Sequence, residues 1–353
     1  LSPVQIVALA PLNPPTDLAF ANAAVTCTAP TTSVTLTATN GVGTLQYETI
    51  APSVAIVAKQ TSNVFAGLAS GSYTFRVTDA NGCYYTESYT ITPVTPIAVT
   101  ATKLTDVDCF GIPTGSARFT VSSFSSTGNY NITVSSTPAS LHYTLNSTGD
   151  VHTLTGLVAG TYTFSVTDNT TGCADSKSVT ITQPAALALN LVSNKNANCN
   201  VATARVEVIA AGGTPSYTYA FVQNNIAPLA TDYTASAIAN LNPLTNLNWD
   251  VWVKDSKGCT AKLDVAIASD PTPSVTASAV GQCLGAGSYT ITANGTGGTG
   301  TLTYSINGGA SYQSGTTFVV TTAGTYTIKV KDANGCTADS LPVVVAPQLT
   351  LNA

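Results

Sequence analysis

Eight cysteines in a regular long–short alternation constrain the fold of this 353-residue chain more than any other feature. They are Cys27, Cys83, Cys109, Cys173, Cys199, Cys259, Cys283 and Cys336. Taken in order as pairs, the cysteines of a pair are roughly 53–64 residues apart and successive pairs are roughly 25 residues apart. The alternation therefore predicts a unit of about 80–90 residues that occurs four times.

A motif of alternating residues precedes the second cysteine of each unit. In unit two it reads Gly160-Thr-Tyr-Thr-Phe-Ser-Val-Thr-Asp168, followed by Asn-Thr-Thr-Gly-Cys173. Large apolar and polar residues alternate as in a half-buried strand. The step from Asp to Gly indicates a hairpin turn, because Asp hydrogen-bonds nearby backbone and Gly accepts a left-handed conformation. A further strand follows each cysteine and ends near a proline, which cannot donate to a ladder; the prolines are Pro93, Pro184, Pro271 and Pro347.

Short strands with turn signals between them predict the fold class. The chain shows no sustained helical period, and turn signals recur every ~8–12 residues, which is typical of antiparallel sandwiches. We predict an all-β protein, a tandem array of four Ig-like antiparallel β-sandwich repeats. Their predicted bounds are 13–94, 95–184, 185–271 and 272–347. Residues 1–12 resemble the last strand of a preceding repeat and residues 348–353 the first strand of a following one, so further copies are expected on both sides.

The cysteines are expected to form one disulfide inside each repeat. The predicted pairs are Cys27–Cys83, Cys109–Cys173, Cys199–Cys259 and Cys283–Cys336. No Cys-x-x-Cys occurs, so the spacing typical of zinc ligands is missing. An even cysteine count with two per repeat favours disulfides and an oxidising compartment. Free buried thiols and a pairing between units, such as Cys83–Cys109, are the alternatives.

Charge and hydropathy exclude two classes of partner. Twelve basic residues stand against seventeen acidic ones, for a net charge of −5, and no basic cluster occurs. A nucleic-acid interface is therefore not expected. No apolar run approaches eighteen residues, so no membrane-spanning helix is expected in this segment.

Catalysis finds little support in the sequence, and we predict that the chain is not an enzyme. The two histidines, His142 and His152, both lie in unit two and have no counterparts in the other units. They could face each other across a hairpin as a metal pair, although two solvated side chains are the simpler interpretation. No Gly-x-Ser-x-Gly elbow and no repeated pair of carboxylates is found. No catalytic, cofactor or metal residue is therefore assigned.

Calcium is a secondary hypothesis. Asp79-Ala-Asn81-Gly82 and Asp332-Ala-Asn-Gly335 resemble the start of a calcium loop, but the later acidic ligands are missing. The simpler interpretation is that each aspartate forms the turn.

Trp252 is the residue that most suggests a ligand contact. Its position in the aligned motif falls on the outward face of the strand, and an outward Trp with Tyr233 nearby in sequence could stack on a sugar or a protein partner. The alternative is that the apolar-rich insertion 226–246 folds over that face.

The combined motif resembles a known repeat. The Gly-Thr-Tyr-Thr-x-x-Val-x-Asp-x-x-Gly-Cys signature, the stretch Val179–Pro184 and the stretch Gly212–Tyr219 are similar to the SprB-type repeat of Bacteroidetes surface adhesins. The resemblance covers all four units. It implies very large proteins that are exported by type IX secretion and displayed on the bacterial cell surface, some of which serve gliding motility. It carries over no catalytic residues.

These inferences predict a stalk or adhesive repeat segment of a giant extracellular adhesin. Its expected partners are cell-surface or extracellular glycans or proteins, together with other repeats of the same long chain. One alternative is an extracellular filament assembled by β-strand pairing, suggested by the terminal strands at 4–8 and 349–352. The other is a carbohydrate-binding array of a secreted protein, for which Trp252 is the candidate site.

Overall fold

The computed structural model describes residues 12–123, 130–137, 142–146, 151–280 and 287–347. Within these ranges all pairings between strands are antiparallel, and the helical elements are two 3₁₀ turns, Ser53–Ala55 and Ala230–Asp232. The predicted all-β class with antiparallel sandwiches is confirmed. In this described part of the chain, no helix has the length and apolar character needed to cross a bilayer.

The first sandwich has six strands in two sheets. The strands are β1 (Asp17–Asn22), β2 (Thr31–Thr39), β3 (Gln46–Ala51), β4 (Val64–Ala69), β5 (Gly71–Thr78) and β6 (Tyr84–Ile91). The sheet orders are β1-β2-β4 and β3-β5-β6. The alternation of the motif strand β5 places Tyr73, Phe75 and Val77 in the core, as predicted.

The second sandwich repeats this plan with one added strand. Its strands are β7 (Ala98–Thr105), β8 (Gly115–Ser122), β9 (Tyr130–Thr137), β10 (His142–Asn146), β11 (Val151–Leu157), β12 (Gly160–Asp168) and β13 (Ala174–Ile181). They form the sheets β11-β8-β7 and β10-β9-β12-β13. The rings of Phe119 and Phe164, one from each sheet, stack in the core with centroids 4.6 Å apart.

The third sandwich again has six strands. They are β14 (Ala188–Lys195), β15 (Ala204–Ala211), β16 (Thr218–Gln223), β17 (Ile238–Leu241), β18 (Asn248–Lys254) and β19 (Thr260–Ala266), in the sheets β14-β15-β17 and β16-β18-β19. Val251 and Val253 on β18 are fully buried, and Trp249 packs partly buried against the same core.

The motif strand is interrupted in the fourth sandwich. The strands are β20 (Pro273–Val280), β21 (Tyr289–Gly297), β22 (Thr303–Ser305), β23 (Thr317–Val320), β24 (Gly324–Tyr326), β25 (Lys329–Lys331), β26 (Thr337–Asp339) and β27 (Val343–Val345). They form the sheets β20-β21-β23 and β22-β25-β26 and the pair β24-β27. Fully buried Ile328 lies between β24 and β25, and its N–H donates to the Ser340 hydroxyl at 3.0 Å.

The chain groups into two compact units. One contains Leu1–Val107 and Gly111–Gln183, and the other contains Asp108–Phe110 and Pro184–Ala353. In the first unit, Val94 packs against the cores of both of its sandwiches. The predicted repeat bounds remain predictions. The terminal strands predicted at 4–8 and 349–352 lie outside the described residues.

Candidate functional site: the disulfide-linked turns

The turn that ends at the second cysteine of each repeat has a recurring geometry; we call these four segments the cysteine turns. They are Asp79–Cys83, Asp168–Cys173, Asp255–Cys259 and Asp332–Cys336. In each, the aspartate N–H donates to the cysteine carbonyl at 2.8–3.0 Å, and the glycine before the cysteine has a positive φ of 65–85°. The glycine is required there because a Cβ disfavours that backbone region. Sequence therefore fixes the shape of the turn.

In the first, third and fourth repeats the aspartate side chain ties the cysteine turn to a second loop of its own sandwich. Asp255 is buried, and its Oδ1 accepts the N–H groups of Lys257 and Cys259, both at 2.9 Å. Its Oδ2 accepts the N–H of Thr214, in the loop between β15 and β16, at 2.8 Å. Asp79 and Asp332 make the corresponding bonds to the loops after β2 and β21. The cysteine is thereby held at a defined end of its sandwich.

Three disulfides join the cysteine turns to segments of different repeats. We call the segments around the first cysteine of each repeat the cysteine loops; they lie between the first two strands. The bonds are Cys27–Cys173, Cys109–Cys259 and Cys199–Cys336, with Cα–Cα distances of 5.0, 5.7 and 5.7 Å. Each cysteine loop is bonded to the cysteine turn of the next repeat along the sequence.

The predicted pairing inside each repeat is therefore wrong. The pairs Cys27–Cys83, Cys109–Cys173 and Cys199–Cys259 do not form, and Cys83 has a free thiol. The predicted Cys283–Cys336 pair does not form either, because Cys336 is bonded to Cys199. Cys283 itself lies outside the described residues. The alternative Cys83–Cys109 pairing is also absent, since Cys109 is bonded to Cys259.

Sandwich geometry explains why a repeat cannot close its own disulfide. In the first repeat Cys27 precedes β2, whereas the cysteine turn is hydrogen-bonded to the loop that follows β2. The nine residues of β2 separate these two ends by about 30 Å, far beyond the ~7 Å limit between the Cα atoms of a disulfide. The cysteines of one repeat therefore lie at opposite ends of the sandwich, and each must find its partner in another repeat.

We call each disulfide, together with the cysteine loop and cysteine turn that it joins, a junction. Polar contacts accompany the first junction, Cys27–Cys173, within the first compact unit. The N–H of Cys27 donates to the carbonyl of Thr171 at 2.9 Å. The side chain of Thr28 occupies the space beside Gly172, where an added Cβ would lie 2.7 Å from the Thr28 Cγ2. The cysteine loop thus fits against the turn in addition to being bonded to it.

An ion pair accompanies the second junction, within the second compact unit. Lys257 Nζ lies 2.9 Å from Asp108 Oδ1, and the hydrogen bond to Asp108 raises the pKa of Lys257. Asp108 is next to Cys109, and Lys257 lies two residues before Cys259. The charges therefore align the two segments that the disulfide joins.

Amide side chains accompany the third junction, also within the second unit. Asn200 Nδ2 donates to the carbonyl of Asn334 at 2.8 Å. Asp270 accepts from the side-chain amides of Asn196 and Asn334, both at 2.8 Å, and these hydrogen bonds lower the pKa of Asp270. A groove of about 460 Å³ lies beside them.

The sequence interpretation missed these contact residues because their types differ between repeats. They share a position: Thr171, Lys257 and Asn334 each lie two residues before the turn cysteine. That common position was the available signal. It could be interpreted only once the pairing was known.

Trp252 and Tyr233, the predicted ligand contacts, lie on the third sandwich. Trp252 is half-buried between Ala220 and Lys262 on the outward face of β18, and its indole N–H is buried without a partner in the described structure. Tyr233 belongs to the insertion 226–246, and its ring lies 4.3 Å from Lys254 Nζ. Burial, and secondarily the Asp232 charge, raise the pKa of Tyr233. A role of either residue in ligand binding stays a prediction.

The remaining candidates have other roles or positions. His142 lies on β10 and His152 on β11, which belong to different sheets, so they do not pair across a hairpin. Asp79 uses both carboxylate oxygens to accept backbone N–H groups, as a turn former does. Among the described residues no group of three His, Cys, Asp or Glu side chains is arranged to hold a metal. Calcium binding stays an untested hypothesis.

Comparison with solved structures finds other tandem-domain proteins at low similarity. One is a crystal structure of a tetra-tandem repeat in the extending region of a large adhesion protein, at 16% identity and TM-score 0.35, covering 90% of this chain and 96% of that chain. A second is the N-terminal eight Ig domains of Down Syndrome Cell Adhesion Molecule, at 12% identity and TM-score 0.28, covering 89% and 45%. A third is the protocadherin gammaB7 EC3-6 cis-dimer structure, at 14% and 0.31, covering 89% and 96%. No protein-family profile and no curated protein matches this chain.

Proposed function

We propose that this chain is a non-enzymatic, tension-bearing stalk segment of an extracellular adhesin. The observation that carries the proposal is the staggered set of disulfides, in which each cysteine loop is bonded to the turn of the next repeat. The covalent loops that they close overlap along the sequence. A pull on the ends of the array is therefore transmitted across repeats through covalent bonds.

The overlap makes a short covalent path through the array. Force that enters at Cys27 crosses to Cys173, follows the backbone to Cys199 and crosses to Cys336. That backbone segment is about 90 Å long when fully extended at ~3.5 Å per residue. Without the disulfides, the chain from Cys27 to Cys336 would extend to about 1,000 Å. The disulfides thus limit how far the segment can lengthen if its sandwiches unfold.

An extracellular setting fits this chemistry. Disulfides persist in oxidising compartments and are rare in reducing ones. A tandem array also allows weak contacts of single repeats to add through their high effective concentration. The motifs that resemble SprB-type repeats support a bacterial surface adhesin exported by type IX secretion, and a role in gliding motility is the finer form of this proposal.

Single-molecule stretching of the full chain tests the proposal. With the disulfides intact, the extension between Cys27 and Cys336 should stop near 90 Å, and after reduction it should reach roughly ten times that length. A release of full backbone length from the oxidised protein would overturn the stalk proposal.

Carbohydrate binding is a second candidate function, and Trp252 is its candidate site. The Trp252 side chain is half-buried on the outward side of β18, and its indole N–H is buried. Glycan-array binding that Trp252→Ala abolishes would support this candidate, and binding that survives the substitution would remove its best site.

A further inference from the structure

The cysteine turn of the first repeat is built like the other three but has no partner segment among the residues that the structure describes. Asp79 Oδ1 accepts the N–H groups of Asn81 and Cys83 at 2.9 and 3.0 Å, as Asp255 does in the third repeat. Cys83 has a free thiol. The turn therefore has the geometry that the other repeats use for bonding, and its cysteine is available.

The three bonded turns show which ligand such a turn takes. Each carries a cysteine loop of the repeat that comes directly before it in sequence. In each, the residue two positions before the turn cysteine makes a polar contact with that loop: Thr171 with Cys27, Lys257 with Asp108, and Asn334 with Asn200. Three independent copies of the site thus hold the same kind of segment at the same position.

The corresponding surface of the first repeat is open. The equivalent contact residue is Asn81, which is exposed, and Cys83 is half-buried, as bonded Cys259 is, whereas Cys173 and Cys336 are buried. A Cβ added at Gly82 would meet nothing within 4 Å, as at Gly258 of the third repeat, whereas at Gly172 and Gly335 it would meet Thr28 and Asn200 of the bonded cysteine loops. The room that a bonded cysteine loop occupies in the second repeat is free in the first.

We infer that the Asp79–Cys83 turn is the docking site for the cysteine loop of a further repeat placed directly before residue 13, and that Cys83 forms a disulfide with it. Joining the two thiols releases two protons and two electrons. A small-molecule disulfide such as oxidised glutathione accepts them and becomes two thiols. The inference concerns how the array is extended and holds whether or not the array belongs to an adhesin.

A fusion protein tests the inference in the folded array. An additional copy of residues 185–271 is placed directly before residue 13, with Cys259→Ser in the added copy and Cys283→Ser in the chain. The protein is oxidised with glutathione disulfide and its disulfides are mapped by mass spectrometry without reduction. We expect a bond between Cys199 of the added copy and Cys83, with loss of alkylation at Cys83.

The matched control carries Cys199→Ser in the added copy and should leave Cys83 fully open to alkylation. A second fusion with residues 95–184, carrying Cys173→Ser in the added copy, offers Cys109 as the donor and guards against poor folding of the first. A Cys83 that stays alkylatable in both fusions, while the three disulfides of the array form, would overturn the inference.

Discussion

At the residue scale, the aspartate that opens each cysteine turn is the side chain on which the junctions depend. It is buried in all four repeats, with exposed fractions of 1–6%. Burying a carboxylate is costly unless hydrogen bonds compensate, and here backbone N–H groups of the turn supply them, joined in the first, third and fourth repeats by an N–H of a second loop. The turn therefore presents its cysteine in a fixed position before any bond to another repeat is made.

Replacing Asp255 with alanine should destabilise the third sandwich by about 3 kcal/mol, because buried N–H groups that now donate to a carboxylate would lose their acceptor. Chemical denaturation followed by Trp fluorescence measures the change. Asp264→Ala is the matched control in the same sandwich: that carboxylate is exposed in an ion pair with Lys262, and its loss should cost less than about 1 kcal/mol. Equal effects of the two substitutions would contradict the assigned role of Asp255.

Asp106 makes one part of the stability depend on pH. Hydrogen bonds from Lys103 and from the N–H of Thr182 lower its pKa to about 2. A carboxylate with a depressed folded pKa stabilises the protein fully above its unfolded pKa of ~3.9, and that contribution is lost as the pH falls through the folded value.

Asp106→Asn should therefore make the unfolding free energy depend less steeply on pH at low pH. Between about pH 4 and pH 2 the unmodified protein should lose more unfolding free energy than the variant. The reason is that the carboxylate of Asp106 takes up a proton in this range, whereas the asparagine of the variant does not titrate. Denaturant titrations at several pH values in this range provide the measurement. Parallel curves would show that Asp106 does not contribute to folding in this way.

At the element scale, the motif strand of each repeat separates a core face from an outer face. On β12, Tyr162, Phe164 and Val166 are buried, while Thr163 pairs its hydroxyl with that of Ser178 across the outer surface at 2.8 Å. The period of two is a consequence of strand geometry. The sequence therefore predicts correctly which residues of each motif enter a core.

Phe164→Ala should destabilise the second sandwich by about 3–5 kcal/mol through the cavity that it leaves beside Phe119. Thr163→Ala, the neighbouring residue on the outer face, should cost less than about 1 kcal/mol, since it removes only a surface hydrogen bond. Thermal unfolding of the two variants compares them directly. A similar loss of stability in both would contradict the assignment of the two faces.

The disulfide pairing could not be predicted from the same patterns. Cysteine order and spacing show that two cysteines belong to each repeat, but they do not show that β2 holds Cys27 and Cys83 at opposite ends of one sandwich. Pairing depends on which loops of successive repeats meet, and local alternation carries no signal for that. The position of Trp252 on the outer face was predictable for the same reason that Phe164 was, whereas the partial burial of its ring depends on the fold of neighbouring segments.

At the scale of the whole molecule, the three disulfides have unequal mechanical roles because their loops overlap. Cys27–Cys173 and Cys199–Cys336 lie on the shortest covalent path between Cys27 and Cys336, whereas the Cys109–Cys259 bond is not on that path. In the chain-entropy description each bond alone stabilises the folded state by about 5 kcal/mol, given loops of this length. The three disulfides thus contribute similarly to folding stability but differ in how far they limit the extension of the chain.

Two double variants separate these roles under load. Cys109→Ser with Cys259→Ser should leave the maximum extension between Cys27 and Cys336 near 90 Å, because the path through Cys173 and Cys199 is intact. Cys27→Ser with Cys173→Ser diverts the path through Cys109 and Cys259, so that about 140 residues carry the force and the maximum extension rises to about 500 Å. Force–extension curves of the full chain, recorded without reductant, measure both lengths. If the two variants lengthened equally, the covalent path would not run through the bonds that the structure shows, and the staggered pairing on which the stalk proposal depends would be wrong.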